Sequence, residues 1–234
     1  MENSKKSTKI LIIAGIFLLP AFFILIFKTG KANFYDLKYY GDHQVLTNTH
    51  DGITSIDTLF YKVDKYTFTD HLGQPLTEKN LTNKILIVNI IHGNCPSENC
   101  NLDFLSFKKF IGKEVMGNKK FADIEILSSF VPSNPKKAQK EMTDFIAFHE
   151  INTEKWNIVS GDMGQFYNTN MEIQNPWLEK DTVFGYSNVA QSMALLIDRK
   201  GHIRGKYIVK YTSEIKRITK EISILLKEEE DAKK

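Results

Sequence analysis

Cys95 and Cys100 are the only cysteines in a chain of 234 residues, and they lie in the stretch Cys-Pro-Ser-Glu-Asn-Cys. A close pair of thiols suits three kinds of chemistry: thiol–disulfide exchange, coordination of a soft ion such as Cu(I), or a plain structural disulfide. On an ideal helix, residues five apart stand roughly 8.7 Å between Cα atoms, whereas a disulfide needs about 4.4–6.8 Å. The pair can therefore bridge only from a loop or a distorted turn. Pro96 supports that arrangement by disfavouring a helical Cys95, so the next helix is expected to begin at or after Cys100. His92, three residues ahead of Cys95, is the nearby histidine. It is a candidate third ligand to a metal, a cap on the preceding strand, or an imidazolium neighbour that lowers a cysteine pKa. Its plainest reading is a partly exposed residue at a loop edge. His43, His50, His71 and His202 read as surface turn residues, and His149 as a helix-end residue that favours the dipole.

Other constellations carry less. Asp162, Glu172 and Glu179 are scattered carboxylates without partners at metal-ligand spacing. Ser160-Gly161-Asp162-Met163-Gly164 has two glycines but no phosphate-loop lysine, and reads as a turn. No nucleophile-elbow pattern is present. Trp156 and Trp177 are expected at the margin of the core. The net charge is only +3, with acids and bases interspersed, and no basic patch with interleaved aromatics points to nucleic acid.

The elements that must position the thiols follow from hydropathy. Residues 85–91 are apolar on both faces apart from Asn89, as in a central strand covered on both sides. Tyr66 to Thr77 reads as a hairpin around His71-Leu72-Gly73-Gln74. After the cysteines, Leu102, Leu105, Phe107, Phe110 and Ile111 outline a helix face. Ile124 to Leu127 is the next strand. Asn134-Pro135 opens a second helix, with Asn as N-cap, in which Ala138, Met142, Phe145 and His149 share a face. Trp156 to Ser160 is a third strand. The segment 162–190 is irregular, with a short helix near Gln165-Phe166-Tyr167. A hairpin from Met193 to Val209 and a last helix from about Ser213, burying Ile215, Ile218, Ile222 and Leu225, close the chain. This order gives an α/β fold, a thioredoxin-like three-layer sandwich with a mixed central sheet.

Ahead of it lies an uncharged run of eighteen residues, 10–27, between lysines. At about 1.5 Å per residue it spans about 27 Å, enough for a single transmembrane helix, in which Pro20 is tolerated. No convincing cleavage site follows, so an uncleaved anchor is expected rather than a signal peptide. The lysine balance keeps residues 1–9 in the cytoplasm and places the rest outside, where a disulfide persists. Residues 28–60 then form a juxtamembrane lead-in, 61–227 the folded domain and 228–234 a frayed charged tail.

These residues together resemble the Sco/SenC family, membrane-tethered thioredoxin-fold proteins that help load copper into cytochrome c oxidase. The likeness runs through the amino-terminal anchor, Tyr39-Tyr40-Gly41, Phe68-Thr69-Asp70-His71-Leu72-Gly73, the strand into Cys95-Pro96 and the helix opening at Pro135. It continues through Trp156-Asn157-Ile158-Val159-Ser160-Gly161-Asp162 and the closing hairpin from Leu195 to Gly205. The resemblance implies a copper site of two cysteines in Cys-Pro-x-x-Cys-Pro plus one histidine shortly before that hairpin. Here Cys95-Pro96 stands, the second cysteine comes one residue late, Asn101 replaces the proline, and the histidine position falls at Ala190. The carboxylate often carried after the second strand is absent from 129–135. The implied role is a copper chaperone or thiol–disulfide reductase rather than a metabolic enzyme. Cys95 and Cys100 would be its redox pair and Cu(I) ligands, with His92 as a substitute third ligand. Its partner would be the copper-bearing subunit of a terminal oxidase, or another thiol protein. Two alternatives stay open: a general thiol–disulfide oxidoreductase, and a non-catalytic domain stapled by its disulfide. Thioredoxins proper use Cys-x-x-Cys and a facing cis-proline, and no proline follows Pro176.

Overall fold

Strand β5 (Ile85–His92) is the axis of the molecule, buried along seven of its eight residues because both of its faces are apolar. The structure is a computed structural model that describes residues 36–50, 53–93, 104–167 and 193–232, with residues 16, 18, 19, 22 and 23 of the amino-terminal run. Beside β5, β6 (Ile124–Val131) pairs in parallel from Ile85↔Ile124 to His92↔Val131, and β7 (Trp156–Ser160) pairs in parallel with β6. On the other flank β8 (Met193–Ile197) runs antiparallel to β5, and β9 (Ile203–Ile208) completes the hairpin. The hairpin β3 (Thr67–Asp70) and β4 (Pro75–Thr77) closes the far edge, giving the order β4-β3-β7-β6-β5-β8-β9. The mixed sheet expected from the sequence is present. A separate hairpin precedes it, β1 (His43–His50) with β2 (Ile53–Phe60).

Helices cover both faces. One face holds α1 (residues 104–117), α2 (Ala138–Phe148) and α4 (Thr212–Asp231), packed over Ile85, Ile87, Ile124, Ile126 and Trp156. The other holds the short α3 (Gly164–Tyr167) over Leu86, Val88 and Leu127. α2 starts as read: the Asn134 side chain accepts from Lys136 N at 3.0 Å, with Pro135 opening a 3₁₀ turn. Glu141 folds back to accept from Ser133 N at 2.7 Å, which closes the start of the helix. α4 buries Ile215, Ile218, Ile222 and Leu225, the four residues the spacing named.

Several expectations change. α1 contains a π-helical stretch, Lys108–Gly112, and its buried face is Phe104, Phe107, Ile111 and Val115, spaced three or four apart. Leu105, expected inside, is 47% exposed. Trp156 is not marginal but fully buried. Residues 228–231, read as part of a frayed tail, form the last turn of α4: Glu228 pairs with Arg204 at 2.6 Å and Glu229 with Arg199 at 2.7 Å. The compact unit begins at Asp36 rather than 61. Arg204 holds this lead-in, donating to Leu37 O at 2.8 Å and lying 4.1 Å over the Tyr39 ring, while Tyr40 N donates to Ile203 O at 2.9 Å. Among the described residues, both halves of the core are drawn from residues 37–226. Among the described residues no helix is long and apolar enough to cross a membrane. The run 10–27 lies outside them except for Ile16, Leu18, Leu19, Phe22 and Phe23, which are helical and exposed.

Candidate functional site

Ligands of open α/β sheets bind beyond the carboxyl ends of the strands, and this is where β5 releases the cysteine segment. The last rung of β5 sets His92 opposite Val131, and Gly93 N donates to Val131 O at 2.9 Å, one residue further. A Cβ on Gly93 would stand 2.5 Å from Phe130 Cζ, so only glycine lets the chain pass so close to that ring. Cys95 follows two residues later, and Cys100 precedes Phe104, the first described residue of α1, by four. Cys95, Cys100 and Ala190 themselves lie outside the described residues, as do Glu172, Trp177 and Glu179. His92 is half-buried, and its Nε2 is shielded from solvent rather than displayed at an exposed loop edge.

The second segment of interest enters at the same end. Tyr167 is the last described residue before 168–192 and Met193 the first after it, and the Tyr167 hydroxyl donates to Met193 O at 3.0 Å. Met193 stands two residues before Leu195, which pairs with Val88 in the middle of β5. The fold thus ties the ends of the segment carrying Ala190 to the carboxyl half of the strand that carries the thiols. Spacing alone could not establish that juxtaposition.

Beneath α1, a polar chain crosses three strands. Trp156 Nε1–H donates to Ser128 Oγ at 2.8 Å, and the Ser128 hydroxyl donates to Asn89 Oδ1. Asn89 and Ser128 are 4% and 0% exposed, and Phe104 and Phe107 rest against the same indole. Buried polar groups persist where each finds a partner, and this chain fixes the strand below the cysteine loop to its neighbours. The signal for it was visible as Asn89 interrupting an apolar run; its partners were not.

Two of the remaining histidines, His149 and His202, part from their sequence readings. His149 is half-buried, ringed by Phe104, Phe145 and Phe148, and burial together with the Lys108 ammonium pushes its pKa down. A depressed pKa favours the neutral ring, which does little for a helix dipole. His202 is no surface residue: its backbone N donates to Asp198 Oδ1 at 2.8 Å and its Nδ1 lies 3.3 Å from Asp198 Oδ2. No group of three His, Cys, Asp or Glu side chains able to hold a metal occurs among the described residues. Soft ions favour thiolates, and Cys95 and Cys100 are the only thiols in the sequence.

Comparison with known proteins places this arrangement. No family model matches the chain. No curated protein matches it either. Among solved structures it is similar to BsSco, a member of the Sco family of cytochrome c oxidase assembly proteins with an identified disulfide switch. The identity is 17% over 70% of this chain and 93% of that one, with a TM-score of 0.53. It is also similar to a SCO1/SenC family lipoprotein from Bacillus anthracis str. Ames, at 19% identity over 71% of this chain and 95% of that one, with a TM-score of 0.54. At these identities the likeness is one of architecture: over about 70% of its length the chain shares the thioredoxin-like α/β fold of these two structures.

Proposed function

We propose that the chain is a divergent Sco/SenC-like protein that works through Cys95 and Cys100 in thiol–disulfide redox and Cu(I) handling for a respiratory oxidase. It would be held to a membrane by residues 10–27, with its domain on the extracytoplasmic side. The observation that carries the reading is the placement of the cysteine segment at the carboxyl end of a fully buried central strand, on a fold shared with Sco proteins. Copper is cargo here. Two thiolates hold Cu(I) as a soft ion, and Ala190 at the histidine position weakens Cu(II) binding and selectivity. In exchange chemistry, the thiolate of one cysteine attacks a disulfide of the partner to form a mixed disulfide. The second cysteine then displaces the partner's thiolate, leaving the partner reduced by two electrons and the Cys95–Cys100 pair oxidised.

Anaerobic Cu(I) titration of the reduced protein tests this. Uptake of about one ion, lost in Cys95→Ser, supports copper handling. No uptake, with a disulfide potential well above about −300 mV, supports pure thiol exchange. A potential below that value with no copper uptake leaves a structural staple and overturns the proposal.

A further inference from the structure

On the α1 face of the sheet, at the end opposite the cysteine segment, α1 and the loop after α2 border an open cavity of about 440 Å³. The volume falls within the range of about 300–1,000 Å³ typical of small-molecule sites. Its apolar wall is Trp156, Met116 and Ile151. The π-helical stretch Lys108–Gly112 widens α1 at this point, and π-bulges recur at functional sites. Gly112 lets α1 pack close against the indole, since a Cβ there would stand 2.7 Å from Trp156 Cζ3.

The rim is cationic. Lys108, Lys109 and Lys113 border the cavity against one carboxylate, Glu150. Lys108 Nζ donates to His149 O, and Lys109 Nζ lies 5.7 Å from the Phe110 ring centroid. None of the three lysines forms an ion pair with a described residue. Glu150 itself adopts φ 47°, a conformation that non-glycine residues rarely take.

An apolar floor under a rim of three lysines and one carboxylate matches one chemical class. We infer that this cavity binds a small amphipathic carboxylate, its acyl or aryl body on Met116 and Ile151 over the edge of the buried Trp156 and its head between Lys109 and Lys113. The site is independent of the thiol chemistry.

The full chain carrying Trp177→Phe has Trp156 as its sole tryptophan, which makes its emission a local reporter. The probe is 4-(4-bromophenyl)butyrate, whose bromine quenches a nearby indole, set against the neutral 4-(4-bromophenyl)butanol. Saturable quenching at one equivalent is expected, with the carboxylate at least about tenfold tighter than the alcohol, the size of one charge-assisted contact. In Lys109→Glu/Lys113→Glu, both positions being exposed, the preference disappears while the thermal midpoint holds. Quenching that never saturates, equal affinity for acid and alcohol, or a preference that survives the charge reversal overturns the inference.

Discussion

Replacing Arg204 by Met tests how the lead-in is attached. The Arg204 side chain is 6% exposed and meets Asp198 at 3.4 Å, Glu228 at 2.6 Å and two lead-in carbonyls, Leu37 O at 2.8 Å and Lys38 O at 3.4 Å. Methionine approximates the stem but leaves Asp198, itself 6% exposed, without its cation. Removing one partner of a buried pair costs about 3–5 kcal/mol. Asp198 keeps hydrogen bonds from Lys200 N at 2.9 Å and His202 N at 2.8 Å, which places the cost at the low end, about 3 kcal/mol. For a unit of this size that lowers the melting midpoint by about 6–12 °C. Adding Asp198→Asn removes the stranded charge and recovers about 1–2 kcal/mol. Urea unfolding of both variants gives the energies, and amide hydrogen exchange gives the location. The Tyr40 amide, bonded to Ile203 O, loses protection in Arg204→Met, while the amides of β5 lose only what the global change dictates. A loss below about 1 kcal/mol, or Tyr40 protection unchanged, refutes the reasoning that this guanidinium fastens residues 36–40 to the domain.

Gly93→Ala places a methyl 2.5 Å from Phe130 Cζ, and overpacking of this kind costs about 1–3 kcal/mol; Phe130→Leu in the same chain restores most of it, measured by chemical denaturation. If the pair of substitutions is merely additive, the close approach at the exit of β5 is not what glycine serves there. His149 has its pKa pushed below the ordinary value by burial first and Lys108 second, so the native state favours the neutral ring. The unfolded chain therefore binds more protons as pH drops. Stability attributable to His149 is full above about 6.5, the ordinary histidine pKa, and is lost as pH falls through the depressed native value. Midpoints measured from pH 8 to pH 5 should decline less in His149→Gln; parallel curves for the two proteins contradict this assignment.

The parts of the fold legible in the sequence were those in which burial is local. Strand β5 declared itself by an apolar run with no period, and α4 by isoleucines and a leucine three or four apart, since each pattern reports a neighbourhood set by one element's own geometry. The closing hairpin was equally plain from Asp198-Arg199-Lys200-Gly201. What escaped was pairing across long separations. Trp156 goes fully inside because Ser128 accepts its indole proton, and His202 is drawn inward by Asp198, whose other partner is Arg204. The face of α1 differed because Phe104, at helical spacing from Phe107 and Ile111, takes the inward position in place of Leu105. The site was legible as a strand exit and a thiol pair, while the meeting of its two bordering segments at Val88 and Met193 needed the strand order.

The ion pairs joining separate elements of the sheet gather at its other end. Lys84 with Asp123 and Glu125, Arg199 with Asp123 and Glu229, and Arg204 with Asp198 and Glu228 surround the amino end of β5 and the β8–β9 turn. The lead-in is fastened there as well, through Leu37, Tyr39 and Tyr40. A sheet braced by charges at one end and by the apolar and Ser128–Asn89 contacts at mid-height can leave its carboxyl end to loops, because the strands are already fixed below. That division of labour makes a separable demand on variants. Substitutions in the Arg204 and Arg199 networks should lower stability and leave the thiols' redox potential in place, whereas changes at Gly93 or Asn89 should move both, since they alter the strand that leads into the cysteine segment.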